Sequence, residues 1–214
     1  MGHGAALKAT IDELLDFRRR VLARRDGFAC DVIFLRGAQE EMLQKLLQLQ
    51  FAPNPGEVLA WMVKAGVEPT VQAYGGDLRQ GMAATRDGPV TITRWTSSLR
   101  RAINGAPGHT KLLSSLRHAA FTKEGGVLFV HAAIAPLQRL TTQGDAFWWG
   151  QSDILGLTAP FDGFSRVVRG FDREQRGLVE CEFAVSLDGG AGRGGRLLAA
   201  CFSPDGSVLD RVEA

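Results

Sequence analysis

The residues Leu35-Arg36-Gly37-Ala38-Gln39-Glu40 form the most chemically suggestive arrangement in the chain. They follow an apolar run, Asp31-Val32-Ile33-Phe34-Leu35, and open a helical pattern that reaches Leu49. A loop that leaves a strand and enters a helix is where α/β folds gather reacting groups. The strand end fixes the direction of the side chains, and the loop leaves them accessible. His131 is a second candidate, because it ends the continuous apolar run Val127-Leu128-Phe129-Val130. An imidazole there either ligates a metal or satisfies its own hydrogen bonds in the core, and the second use is the more frequent. Asp188 stands at a strand end ahead of two glycines, where a lone carboxylate more often closes a turn.

Other arrangements weigh less. His3, His109 and His118 match no ligand pattern such as HExxH. Ser114, Ser115 and His118 have spacings that can meet on a helix, yet no nucleophile elbow surrounds the serines. Gly190-Ala191-Gly192-Arg193-Gly194-Gly195 matches G-x-G-x-x-G, but residues 196–202 read as a strand. No helix N-terminus then follows to hold a pyrophosphate, and a glycine-rich inter-strand loop is the preferred reading. Phe147, Trp148 and Trp149 form an aromatic cluster without a basic stripe, so core packing or a pocket wall is favoured over base stacking.

These residues need elements to position them. Leu7, Ile11, Leu14, Leu15, Val21 and Leu22 fall near one face of a helix that Gly27 stops. Residues 31–35 read as a strand, 40–50 as a second helix and 57–65 as a third. Residues 75–92, rich in glycine and polar side chains, read as a loop. Residues 94–104 and 109–120 read as helices, and 127–131 as a buried strand. From Val179 to Leu187 apolar and polar residues alternate, which predicts one strand with a polar face. Residues 196–202 and 207–212 then form a hairpin around the turn Ser203-Pro204-Asp205-Gly206.

Composition sets the class. The chain has 214 residues, 45% of them hydrophobic, 22% charged, and a net charge of +2. That fits one globular domain and indicates neither a nucleic-acid partner nor an acidic tail. The arginines at 18–20, 24 and 25 are interleaved with Asp12, Glu13, Asp16 and Asp26, as on a solvated helix face. Cys30, Cys181 and Cys201 show no CxxC spacing. With no signal peptide at the N-terminus, they are expected as buried thiols in a reducing cytoplasm. No apolar run approaches a membrane span.

The segment Leu35-Arg36-Gly37-Ala38-Gln39-Glu40 resembles the Leu-Arg-Gly-Asn-His-Glu motif of calcineurin-like metallophosphoesterases. The relevant branch holds Ser/Thr protein phosphatases and bacterial diadenosine tetraphosphatases. Further likenesses follow in family order. Leu128-Phe129-Val130-His131-Ala132-Ala133-Ile134 is similar to Phe-Val-His-Ala-Gly-Ile. Residues 143–150 are similar to a stretch with a Trp and a phosphate-binding Arg. Val167-Val168-Arg169-Gly170-Phe171 resembles Val-Val-His-Gly-His, and Ser186-Leu187-Asp188-Gly189-Gly190-Ala191 resembles the closing Asp-Thr-Gly-Ala segment. The resemblance covers nearly the whole chain. It implies an αββα sandwich with mixed sheets, flanking helices and a C-terminal β-meander, forming one domain over 1–214 with the first strands missing.

The family's chemistry uses two divalent metal ions, manganese or similar, that activate a water and clamp the phosphate. By the resemblance, His131 is a retained metal ligand and Asp188 a weaker one. Ala38 replaces a ligand Asn, and Phe171 a ligand His. Gln39 occupies the place of the general-acid His, between Arg36 and Glu40 of the catalytic motif. Trp148, Trp149 and Arg169 are the implied substrate-binding residues, and Gly150 lies near the place of the phosphate-binding Arg. Two readings stay open. In one, the chain is a catalytically impaired member that acts by binding a phosphorylated small molecule or protein. The other is a functioning metal-dependent phosphoester hydrolase, with an altered site built from His131, Asp188, Asp172 and His3, or with a start placed too late. A homo-oligomer is expected to cover the sheet edge that missing strands would leave. The polar face of the first helix and the loop over residues 74–89 are the other expected partner surfaces.

Overall fold

Amphipathic periodicity builds the first half of the chain, and strand pairing builds the second. The computed structural model describes residue 4 and residues 6–214. The fold is α/β, with an N-terminal helical region, a mixed five-stranded sheet and a two-stranded antiparallel hairpin. The described chain divides into a helical unit, Met1–Ile33 with Ala38–Leu116, and a sheet unit, Phe34–Gly37 with Arg117–Ala214. His3 lies outside the described residues.

The helical unit contains α1 (Leu7–Leu22), α2 (Ala38–Leu46), α3 (Pro55–Lys64), α4 (Glu68–Ala73), α5 (Leu78–Asp87), α6 (Pro89–Gly105) and α7 (His109–Ser115). Helix α1 buries Leu7 and Ile11, one turn apart, while Arg19 and Arg20 stay exposed and pair with Asp16. Pro55 and Pro89 each open a helix at a position where their missing N–H costs nothing.

Residues 75–92, expected as a loop, are instead largely helical. The Asp77 carboxylate accepts the Arg79 N–H at 2.7 Å and caps α5. The inward positions of α5 are Gly81 and Ala84, which carry little hydrophobic signal. Gly81 is required by close approach, since a Cβ there would meet the Trp95 ring of α6 at 2.5 Å.

The sheet unit orders its strands β1-β2-β3-β5-β4. They are β1 (Ala119–Phe121), β2 (Val127–Val130), β3 (Arg166–Arg169), β4 (Gly177–Glu180) and β5 (Ala184–Asp188). Strands β2, β3 and β5 are parallel, and β1 and β4 flank them antiparallel. A short helix, α8 (Ala146–Trp149), lies in the crossover between β2 and β3. Strands β6 (Leu198–Phe202) and β7 (Val208–Glu213) form the separate hairpin. On one face, Val127, Val168 and Val185 pack with Phe129, Leu187, Phe202 and Val208, so the hairpin covers this face.

Four further expectations need correction. The strand over residues 31–35 is mostly absent: Ala29–Asp31 is a 3₁₀ turn, closed by the Phe28 N–H on the Asp31 carboxylate at 2.8 Å, and only Leu35 bridges to Arg117. The helix expected over 109–120 stops at Ser115, because pairing with β2 claims Ala119–Phe121. The single strand from Val179 to Leu187 is the hairpin β4–β5, turned where the Cys181 N–H reaches the Ala184 carbonyl at 2.8 Å. The cysteines are not buried: Cys30 and Cys201 are exposed and Cys181 is half-buried. Phe202 faces the sheet, so the period of two turns Cys201 outward. The glycine run after β5 is a 3₁₀ turn, Ala191–Arg193, followed by β6.

Within the helical unit a polar chain runs from buried Tyr74 and His109 out to the exposed Asp12. The Tyr74 hydroxyl lies 2.7 Å from His109 Nδ1, and His109 Nε2 lies 3.0 Å from Asp12 Oδ1. Burial, reinforced by the Asp12 charge, pushes the Tyr74 phenol up to about 12. Tyr74 is the chain's single tyrosine, so tyrosinate absorbance reports it alone. An alkaline titration should give a native midpoint near 12 and a denatured one near about 10. The neutral phenol therefore adds stability that is complete below the unfolded pKa and lost as pH rises through the folded one. A native midpoint equal to the denatured one would refute this burial.

Candidate functional site

Strand β3 reads Arg166-Val167-Val168-Arg169, and its alternation decides where the two arginines go. Arg166 shares a face with Val168 and bonds the Gly206 carbonyl at 3.1 Å, on the hairpin side. Arg169 points to the opposite face. There Ser186, its register partner on β5, accepts its Nε–H at 3.1 Å. The Arg169 side chain is only 6% exposed, so its charge requires counterions.

Two carboxylates supply them. Asp172, three residues past Arg169 and 3% exposed, lies 3.0 Å from Arg169 Nη2. Arg176 Nε donates to the other Asp172 oxygen at 2.6 Å, and the Glu174 N–H also reaches this carboxylate. Asp153 caps the 3₁₀ turn Ile154–Gly156, accepting the Leu155 N–H at 3.3 Å. That turn packs against β5. Asp153 sits 3.3 Å from Arg169 Nη2 and is gripped by both Nη atoms of Arg176 at 3.3 Å. Each carboxylate thus touches both guanidiniums. The four side chains line a cavity of ≈ 240 Å³ together with Ser152 and Phe171.

Burial pushes both carboxyls up, but the Arg176 hydrogen bonds, the backbone N–H bonds and the two arginine charges outweigh it. Asp172 and Asp153 are therefore held below the usual carboxylate range. The same contacts hold Arg176 above its ordinary range.

The other expected site residues fall in different settings. His131 follows β2 and stacks on the Phe171 ring, with centroids 5.4 Å apart and planes 15° from parallel. The Phe171 N–H donates to the His131 carbonyl at 2.8 Å. Both Asp188 oxygens accept backbone N–H groups, from Asp172 at 2.8 Å and Gly190 at 2.9 Å. Trp148 is buried, edge-on to His118 with centroids 5.0 Å apart, and Trp149 is half-buried. A Cβ on Gly150 would lie 2.6 Å from the Ala133 Cβ and closer still to the Ala146 carbonyl oxygen. That position has no room for an arginine. In the sheet unit, the Arg36 N–H donates to the Arg117 carbonyl at 2.8 Å. In the helical unit, Gln39 and Glu40 lie in the first turn of α2, where Gln39 Nε2 donates to the Ala65 carbonyl at 2.8 Å. Sequence reasoning missed Asp153, Arg176 and Ser186. Only Arg176 carried a signal, the density of charge in Arg169-Gly170-Phe171-Asp172-Arg173-Glu174-Gln175-Arg176.

The donors at this edge do not fit the two-metal centre that the resemblance implies. Phe171 offers carbon, the oxygens of Asp188 are held by backbone N–H groups, and those of Asp172 are held by arginines. A hard divalent pair needs several oxygen and imidazole donors pointed at one place. No protein-family model, curated protein or solved structure matches the chain.

Breaking a buried pair strands the remaining charge, so Asp172→Ala should cost about 3–5 kcal/mol in urea unfolding. A loss below about 1 kcal/mol, the scale of a surface pair, would show that Asp172 is not the counterion of Arg169. Because the folded pKa of Asp172 is depressed, its contribution is complete above the ordinary value of 3.8 and fades as pH falls through the folded value. The variant should accordingly lose the wild-type's acid-range dependence.

Proposed function

We propose that the chain is a relative of the calcineurin-like metallophosphoesterases, built on their αββα sandwich, in which hydrolysis is impaired and the protein acts by binding a phosphorylated small molecule or protein. The observation that carries this reading is the placement of three motif-bearing segments. His131 follows β2, Gly170-Phe171 follows β3, and Asp188 ends β5. These strands are adjacent and parallel, so the three segments leave the sheet at one edge. Ligand sites of α/β sheets lie outside such strand ends.

The chemistry at that edge favours binding over turnover. It offers a buried guanidinium, that of Arg169, a partly exposed one, that of Arg176, and a phenyl ring where hydrolysis would need metal ligands. Away from that edge, in the helical unit, Gln39, which the resemblance puts at the general acid, has no proton to deliver at a useful pKa and donates an amide N–H to the Ala65 carbonyl. Arg169 supports an anionic ligand, because its fork matches phosphoryl oxygens. Self-association belongs to the same proposal, since β7 exposes Leu209 and Val212 on a two-stranded hairpin with open edges.

The test is a phosphatase assay with Mn²⁺ on a generic phosphoester and on a dinucleoside polyphosphate, together with metal analysis of the protein. The expected result is no turnover above buffer, no stoichiometric manganese, and no change in His131→Ala. Robust turnover that disappears in His131→Ala would overturn the reading and favour a metal-dependent hydrolase with an altered site. Light scattering at roughly tens of micromolar, where weak contacts register, should show a dimer or larger species. A monomer there removes self-association from the proposal.

A further inference from the structure

The two aspartates that touch both Arg169 and Arg176 are not equivalent. Asp172 is sequestered, with a side chain 3% exposed and contacts to Arg169, Arg176 and the Glu174 N–H. It is a fixed counterion. Asp153 has a side chain 51% exposed and sits on a short turn. Its carboxylate occupies the mouth between two guanidiniums, where two or three oxygens of an incoming anion would be expected to sit. With Asp153 in place, the charged residues that line the cavity, Arg169, Arg173, Arg176, Asp153, Asp172 and Glu174, balance to a net charge of zero. Without Asp153 the lining carries a net positive charge, with Glu174, 3.5 Å from Arg176 Nε, as the remaining exposed carboxylate.

A second observation points to a ligand. Arg169 is buried and lines the cavity. Among the described residues its Nη2 N–H groups meet no acceptor in hydrogen-bonding geometry, although two carboxylate oxygens lie within ion-pair distance. Its charge is compensated but those N–H groups are not, and an anion entering the cavity in line with them would take them up.

We propose that this cavity is a phosphoryl-binding site held closed by Asp153, whose carboxylate stands in for the ligand on Arg169 and Arg176 until an incoming oxyanion displaces it. The proposal rests on the binding role given above and names its regulation. Displacement needs only rotation of the Asp153 side chain, because Leu155 holds it through a single capping bond. The affinity of the site is then lowered by whatever free energy Asp153 gains from the two arginines. A phosphoryl group brings a third oxygen and more negative charge than the carboxylate it displaces, whereas acetate merely exchanges one carboxylate for another.

The experiment is calorimetric titration of the full chain with inorganic phosphate, with acetate in parallel, at ionic strength matched by chloride. Asp153→Asn keeps an oxygen to accept the Leu155 N–H, so the turn survives while the charge is removed. This variant should bind phosphate about tenfold tighter than wild type or better, a shift of about 1.4 kcal/mol. Adding Arg176→Gln to it should abolish the gain; Arg176 is partly exposed, so the double variant is expected to fold. Equal phosphate affinity of wild type and Asp153→Asn, no binding by either, a gain that survives Arg176→Gln, or a preference for acetate would each overturn the proposal. Tight binding by both proteins alike would remove only the gate and leave the binding role standing. Turnover in the manganese assay would remove the binding role without touching the measured effect of Asp153.

Discussion

Placing a guanidinium on the inner face of a sheet forces a chain of further choices. Arg169 cannot shed its charge, and a buried arginine without counterions would unfold a domain of ordinary stability. Strand β3 therefore has to be followed at once by an acid, and Asp172 comes three residues later. That acid is oriented by its own backbone, whose N–H is taken by Asp188 at the end of β5. Arg176 completes the set just before β4 begins. The loop from β3 to β4 is thus tied at both ends to the strand that lies between them in the sheet. Ser186 contributes the same way, since only a small hydroxyl in register with Arg169 lets the Nε–H find a partner.

The opposite face of the same strands is built without charge at its centre. Val127, Val168 and Val185 form a dry patch that the β6–β7 hairpin covers, with the Phe129 and Phe202 rings meeting edge to face at 5.7 Å. Apolar burial on one side and a compensated polar lattice on the other follow from a period of two in the same strands. The helical unit takes a comparable risk with Tyr74 and His109, buried together and each supplying the other's partner.

Legibility in the sequence followed the strength of the apolar signal. Helix α1 and the β6–β7 hairpin were readable because Leu7, Ile11 and the Ser203-Pro204-Asp205-Gly206 turn announce their periods directly. Helix α5 was hidden, since its inward positions are Gly81 and Ala84 and the volume is supplied by Trp95. Strand β1 was hidden because helical spacing runs on through Leu116 and Ala120, and only long-range pairing with β2 overrides it. At the site, His131 and Asp188 drew attention as residues at strand ends, and Arg169 through the resemblance alone. Asp153 and Arg176 lie 23 residues apart, and no spacing rule joins them; β5, Ser186 and the intervening turn bring them together.

Gly150 and Ala133 share a single small volume. The methyl group of Ala133 occupies space that any side chain at 150 would need, and the Ala146 carbonyl closes the rest. Exchanging Ala133 for glycine alone leaves the carbonyl in the way, and enlarging residue 150 alone collides with both. Two positions 17 residues apart are therefore locked as a ratchet. Position 150 can be enlarged only after Ala133 has lost its methyl and the end of α8 has moved, so this wall of the sheet cannot be rebuilt by one substitution at 150.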